Sequence, residues 1–294
     1  MLLCSKVKRF IRRGKMEKSD SNAVYTEPSK LPFFDSEITM MEYPVRIPPK
    51  PQNPRHLEIT DQERIERFKK LYGGCLNDAL YLKGVVNTVV HHSIQPLRAH
   101  DVIAGRALPV KWHSLAPEVH LSKEEFEART AKWKEEGSPQ KKMHMSIFPG
   151  CVLVFDNGGD EQAAIFGEMS CNLARSRGCV GVVNAGMTRD SKYVLHLEDF
   201  PYFTKGTTPN AYGGWRVMDV NVPIYLPGHL THYVIVNPGD FIFGDDDGLQ
   251  IIPEPYVDEV LLKAEEIFAF EEEERRQIRE GMPIDQVYTE FGDL

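Results

Sequence analysis

The sequence predicts a mixed α/β fold, and three stretches carry that expectation. The first is Cys151–Asp156, CVLVFD, a short valine-rich run set off by Pro149-Gly150, which suits a strand buried on both faces. The second is Gly167–Asp190, GEMSCNLARSRGCVGVVNAGMTRD. It reads as a helix that opens at Glu168-Met169, carries Met169, Leu173 and Ala174 on one face, and stops at Gly178. A second buried strand follows over Cys179–Asn184. Two such strands joined through a helix run parallel, in a right-handed crossover. The third stretch is the long helix from Pro255, where Val257, Val260, Leu261, Ala264, Ile267 and Phe268 form one apolar stripe.

In parallel sheets, ligands sit beyond the carboxyl ends of the strands. Arg189 and Asp190 follow the second strand by a few residues, so they fall at that edge. The helix start at Gly167-Glu168 falls at the same edge and offers backbone N–H groups to an anion. Taken alone, Arg189-Asp190 reads as a surface ion pair. Joined to the helix start, it reads as a site.

Composition bounds the function. At 294 residues and 41% hydrophobic, the chain suffices for one large domain or two small ones. Its net charge of -8 argues against nucleic acid as the partner. The five cysteines (Cys4, Cys75, Cys151, Cys171, Cys179) are odd in number and include no CxxC pair, which suits a reduced, cytoplasmic compartment. No stretch approaches the ~20 apolar residues of a membrane span.

Read in order, the chain divides into a basic tail and proline-rich arm (1–59), a core (60–255) and a C-terminal helix and tail (256–294). Met1–Lys18 is cationic and lacks the apolar core of a secretory signal; it reads as a disordered tail, with a targeting peptide or a start at Met16 as alternatives. Thr60-x-x-Glu63 is a capping box, and Ile65, Phe68 and Tyr72 give one apolar face before Gly73-Gly74. Asn77-Asp78 then caps a shorter helix running to Gly84, and Val85–Val90 and Ala104–Val110 read as strands. His91 and His92 would point to opposite faces of a strand, which argues against their sharing one metal. Residues 111–147 read as a solvated insertion, opened by the capping box Ser122-x-x-Glu125, and Ala163–Gly167 as one more short strand. Further strands are expected over Phe200–Lys205, Val222–Leu226 and His232–Val236. Asp245-Asp246-Asp247 lacks the ligand ladder of an EF-hand, so a hairpin with Asp247-Gly248 at its turn is expected instead.

In sequence, PGCVLVFDNGG, GEMSCNLARSRGCVGVVNAGMTRD, PYFTKGTTPN and NPGDFIFGDDDGLQIIP resemble successive blocks of one superfamily. It contains the regulator of ribonuclease activity A and the class II 4-hydroxy-4-methyl-2-oxoglutarate aldolases. The resemblance covers about residues 62–294, interrupted by the insertion. It implies a compact layered β/β/α, swivelling-domain-like fold with a C-terminal helix. It also implies assembly as homotrimers or dimers of trimers (homohexamers), with active sites between subunits. On the same resemblance, Asp190 binds Mg²⁺ or Mn²⁺ and Arg189 holds a 2-keto acid. The backbone amides of Gly167, Glu168, Met169 and Ser170 bind the substrate carboxylate, and Glu168 contacts the ion through water. A glutamate of the neighbouring subunit's C-terminal helix contributes likewise; Glu271 matches best, with Glu272 to Glu274 leaving the register open. The regulator branch lacks the metal aspartate, so Asp190 favours an enzyme.

These parts suit carbon–carbon cleavage. Breaking the bond beta to a ketone leaves an enolate, whose developing oxyanion a divalent ion and a fixed arginine stabilise. Hard oxygen ligands favour Mg²⁺ or Mn²⁺ over zinc. Lys192 lies in a polar turn, unsuited to a Schiff base. The expected function is therefore a class II lyase that releases pyruvate from 4-hydroxy-4-methyl-2-oxoglutarate-like substrates and decarboxylates oxaloacetate. Two alternatives stay open. One is a non-catalytic regulator; the other is the same fold acting on a sugar acid, since His229 and His232 replace the smaller residues usual in the family.

Overall fold

Alternating side chains bury both faces of the strand at the centre of the molecule, Cys151–Asp156. Cys151, Leu153 and Phe155 enter one apolar cluster, while Val152 and Val154 enter another. The structure is a computed structural model that describes residues 56–114, 122–211 and 215–292; the basic tail and nearly all of the expected proline-rich arm lie outside the described residues.

In chain order the helices are α1 (Asp61–Phe68), α2 (Gly73–Leu82), α3 (Lys123–Glu136), α4 (Pro139–Met145), α5 (Glu168–Ser176), α6 (Ser191–Val194), α7 (Val257–Arg279) and α8 (Ile284–Glu290). The strands are β1 (Gln95–Pro96), β2 (Ile103–Ser114), β3 (Cys151–Asp156), β4 (Gly181–Thr188), β5 (Tyr202–Thr207), β6 (Trp215–Val220), β7 (Ile224–Pro227), β8 (Tyr233–Val236), β9 (Phe241–Asp245) and β10 (Gly248–Ile252). The main sheet runs β1-β5-β4-β3-β2-β9-β10, with β6 also paired to β2 and β7–β8 forming a separate ribbon. Strands β2 to β5 are mutually parallel, as expected for β3–α5–β4, and the others pair antiparallel. Val89 bridges to Gln250 on β10 while Gln95 pairs with Thr204 on β5. That one segment draws the two sheet edges together, so the sheet is nearly closed.

Three apolar clusters flank and fill it. One lies under α5 and includes Leu153, Phe155 and Cys171. A second joins α1, α2 and α7 to Phe241 and Phe243. The third lines the other face of β3 with Val152, Val154, Phe203 and Ile242, closed by Leu226 and Val234 of the β7–β8 ribbon.

Several elements differ from expectation. Gly73-Gly74 does not stop a helix: α1 ends at Phe68, and Gly73 opens α2 because its N–H donates to the distant Asp245 carboxylate (2.7 Å). Asn77 and Asp78 therefore sit inside α2 and do not cap it. Val85–Val90 and Ala163–Gly167 contribute single bridges, at Val89, Val90 and Ala164, with no strand. The β9–β10 turn is Asp246-Asp247, one residue earlier than expected, and Gly248 pairs with Asp245 at a φ of 128°. Met169 and Leu173 face outward on α5, whose buried residues are Cys171 and Ala174.

The insertion departs most. Strand β2 runs on to Ser114, and α4 returns to the core, where Met143 and Ile147 are buried beside Trp112. Polarity dominates α3, but α4 is part of the packed body. No described helix is long and apolar enough to cross a membrane.

A buried ion pair ties the helical layer together. Arg64 of α1 donates to both oxygens of Asp258 on α7 (2.7 and 3.0 Å), and the Leu57 N–H adds a third bond at 2.8 Å. Burial alone would raise the Asp258 pKa; the hydrogen bonds from Arg64 and Leu57 outweigh it and hold the carboxyl below its usual range. Removing one partner of such a pair leaves a buried charge unpaired, so Asp258→Ala is expected to cost about 3 kcal/mol in denaturant unfolding. Because the folded pKa is depressed, this contribution is complete above the ordinary aspartate value of about 4 and disappears as pH falls through the folded pKa. The variant should therefore show a smaller loss of stability on acidification than the wild type.

Candidate active site at the carboxyl edge of the sheet

The turn from β4 into α6 carries Thr188, Arg189 and Asp190 past the end of the sheet. Asp190 takes a left-handed conformation (φ 59°, ψ 28°), which Asp tolerates better than most residues, and it opens α6. Arg189 Nε lies 3.5 Å from Asp190 Oδ2, with both side chains nearly half exposed. The pair is accessible, as a binding group must be.

The start of α5 meets this pair directly. A Cβ built on Gly167 would lie 2.4 Å from Asp190 Oδ2 and 3.1 Å from Arg189 Cγ, so only glycine lets the helix start come this close. Gly167 is the N-cap of α5, and no side chain caps the helix. Glu168 is half-buried in the first turn and accepts from Asn172, while Met169 is 76% exposed and Ser170 half-buried. Burial raises the Cys171 thiol pKa, and the nearby Glu168 and Asp190 carboxylates raise it further. Both carboxylates thus act on one buried atom. The structure brings together Gly167, Glu168, Arg189 and Asp190, all of them expected from the sequence.

A buried polar framework that sequence reasoning missed holds this turn. Phe166, just before Gly167, is forced to a φ of 59°. Its carbonyl accepts from Thr188 Oγ1 (3.2 Å) and Tyr202 OH (3.2 Å), and Asn184 Nδ2 donates to the same tyrosine oxygen (3.2 Å). Burial pushes the Tyr202 pKa up, so the hydroxyl stays protonated and donates. The Phe166 ring lies between Phe155 (4.9 Å) and His144 of the insertion (5.8 Å, stacked). Burial holds His144 below its usual pKa, hence neutral. The position of Thr188 beside Arg189 was the one local signal; the other partners are far away in sequence.

Of the expected site residues, Glu271 lies elsewhere in this chain. Glu271 sits on α7, where it accepts from Tyr72 OH and pairs with Arg275 (3.0 Å); its side chain is 14% exposed. Glu272 and Glu273 pair outward with Arg275 and Arg276, and Glu274 is buried. Lys192 is exposed beside Tyr193, without the desolvation that activates an amine.

Comparison with known proteins places this arrangement. The profile of the RraA-like family, described as Aldolase/RraA, matches residues 75–251. The chain belongs to the RraA-like family. It is 31% identical, over 77% of its length and 93% of the relative's, to a Halalkalibacterium halodurans protein that carries the name 4-hydroxy-4-methyl-2-oxoglutarate aldolase provisionally. It is 30% identical to the Thermus thermophilus protein of that name, over 51% of this chain and 87% of the relative. Among solved structures, Streptomyces coelicolor RraAS2, described as an unusual member of the RNase ES inhibitor RraA protein family, superposes with a TM-score of 0.59. That likeness spans 74% of this RraA-like chain and all of the other, and at 22% identity it establishes the shared fold. The relatives named as aldolases support a lyase.

The Tyr202 hydroxyl is the hub of the framework. Tyr202→Phe leaves the Phe166 carbonyl one donor short in a buried place, and should cost about 1–3 kcal/mol in denaturant unfolding while leaving the secondary structure intact by circular dichroism.

Proposed function

We propose that this RraA-like protein is a divalent-metal-dependent lyase that cleaves a carbon–carbon bond of a 2-keto acid. Its substrates would be of the 4-hydroxy-4-methyl-2-oxoglutarate type, giving pyruvate, with oxaloacetate decarboxylation at the same site. The observation that carries this reading is the contact of the Gly167 backbone with Asp190 and Arg189, which puts an uncapped helix start, a cation and a carboxylate in one place.

The donor set fits Mg²⁺ or Mn²⁺. Asp190 and Glu168 offer only carboxylate oxygens, and among the described residues no group of three or more His, Cys, Asp or Glu forms a complete cage. A hard ion that keeps several waters suits such a partial set. In this reading Asp190 holds the ion directly, and Glu168 acts through water. Glu271 of a neighbouring subunit in a trimer or dimer of trimers would act the same way, after releasing Tyr72 and Arg275. The bound ion supplies Lewis-acid polarisation of the 2-keto group.

The chain's own residues do the rest. The backbone N–H groups of Glu168 and Met169 at the start of α5 bind the substrate carboxylate, where the helix dipole favours negative charge; the Ser170 N–H already donates to the Gly167 carbonyl at 3.1 Å. Arg189 places a permanent positive charge beside the oxygen on which enolate charge develops, and Asp190 keeps the guanidinium in place. Phe166, Thr188 and Tyr202 keep these groups in register before substrate arrives.

Asp190→Ala is expected to lower turnover by at least about 10²-fold and to abolish Mn²⁺ binding by calorimetry. In Gly167→Ala the fold should persist, because the Asp190 carboxylate can swing aside. Mn²⁺ binding should weaken with it, as the new methyl takes the carboxylate's place. Full Mn²⁺ affinity in both variants would contradict the assignment.

A further inference from the structure

A second concave surface, a groove of about 1410 Å³, is lined by none of Gly167, Glu168, Arg189 or Asp190. The accessible aliphatic side chains Val86, Leu230 and Ile235 line it, together with His91, His229, Lys205 and Glu161. His91 and His92 do not point to opposite faces as a strand would require: their rings lie against each other, tilted by 35° with centroids 4.1 Å apart, and His229 stands edge-on to His92 at 6.3 Å. Nδ1 of His91 accepts from the Ser93 N–H (3.2 Å), so its outer nitrogen, Nε2, carries the proton and donates. Lys205 Nζ lies beside this group, largely buried and paired with Glu161 at 2.7 Å.

The imidazoles of His91 and His229 and the Lys205 ammonium share one groove, with His92 packed beside both rings, and these groups repel one another when charged. Burial, with His92, His229 and Lys205 as neighbours, holds His91 below its usual pKa. An anion bound among them would reverse that repulsion. A metal ion fits less well. The described residues hold no group of three or more ligands placed for a metal. Among the described residues Glu161 is the carboxylate paired with Lys205, and its side chain is more than half exposed, so an incoming anion can displace it; Asp240, which also lines the groove, accepts from the N–H groups of Asn237 and Glu254.

We propose that this groove is a second ligand site for a small organic anion, with the anionic end among His91, His229 and Lys205 and an apolar body against Val86, Leu230 and Ile235. The required chemistry is an oxyanion, carboxylate or phosphate ester, on a hydrocarbon body. It does not depend on the lyase reading of the Arg189–Asp190 edge.

The test is a titration of the full-length protein with benzoate, phenyl phosphate and inorganic phosphate, following the histidine Cε1–H resonances by NMR at pH 6 and pH 8. Saturable shifts of the His91 and His229 signals, assigned from His91→Gln and His229→Gln, are expected. Binding should be tighter at pH 6 than at pH 8, because an imidazolium attracts an anion more strongly than a neutral imidazole. Phenyl phosphate should bind roughly tenfold tighter than inorganic phosphate because its ring leaves water. Whichever phenyl compound binds more tightly identifies the oxyanion. The double variant His91→Gln/His229→Gln, checked for an unchanged melting temperature, should lose the response. No saturable shift with any probe would overturn the proposal. So would shifts of the remaining signals that persist undiminished in the double variant, or phosphate binding as tightly as phenyl phosphate.

Discussion

The close approach of the Gly167 backbone to the Asp190 carboxylate is the constraint on which the site depends. Two chain segments must end at the same point: β4, which delivers Arg189 and Asp190, and the β3–α5 connection, which delivers the helix start. Any side chain at position 167 would push the Asp190 carboxylate away, since a Cβ there would come within 2.4 Å of Oδ2. The contact is held from behind by the Phe166 carbonyl, which Thr188 and Tyr202 both engage in a buried setting. An unpaired carbonyl there would be costly, so the turn has little freedom. A strained Phe166 and a left-handed Asp190 flank Gly167 and Arg189, as strain at a functional turn often does.

Much of this was legible from the sequence, for identifiable reasons. The valine-rich runs around 151–156 and 181–183 could bury two faces only in a parallel sheet, and that topology places Arg189 and Asp190 at the carboxyl edge. The capping boxes at Thr60 and Ser122 are local signals, and both form. What sequence reasoning missed is non-local. Gly73 opens a helix because of Asp245, 172 residues away, and Tyr202 reaches the Phe166 carbonyl across 36 residues. Of the apolar face expected on α5, Met169, Leu173 and Ala174, the core takes Ala174 together with Cys171 and leaves Met169 and Leu173 outside. Periodicity finds a stripe but does not say which neighbour covers it.

The segment between β2 and β3 has a structural role that its polarity concealed. His144 on α4 stacks on Phe166, and Met143 fills the cluster beneath α5. Residues in this polar segment therefore support the turn that carries Gly167. On the opposite layer, Glu271 is drawn inward by Tyr72 and Arg275 while Glu272 and Glu273 face solvent. These neighbouring glutamates are thus chemically distinct, which a run of like residues in a sequence cannot convey.

The most direct test of the lyase reading is pyruvate release from 4-hydroxy-4-methyl-2-oxoglutarate and from oxaloacetate by the wild-type protein, with Mg²⁺ or with EDTA. The account predicts release with Mg²⁺, lost with EDTA and restored by returning the ion. Absence of release from both substrates with Mg²⁺, or release unchanged by EDTA, would contradict it.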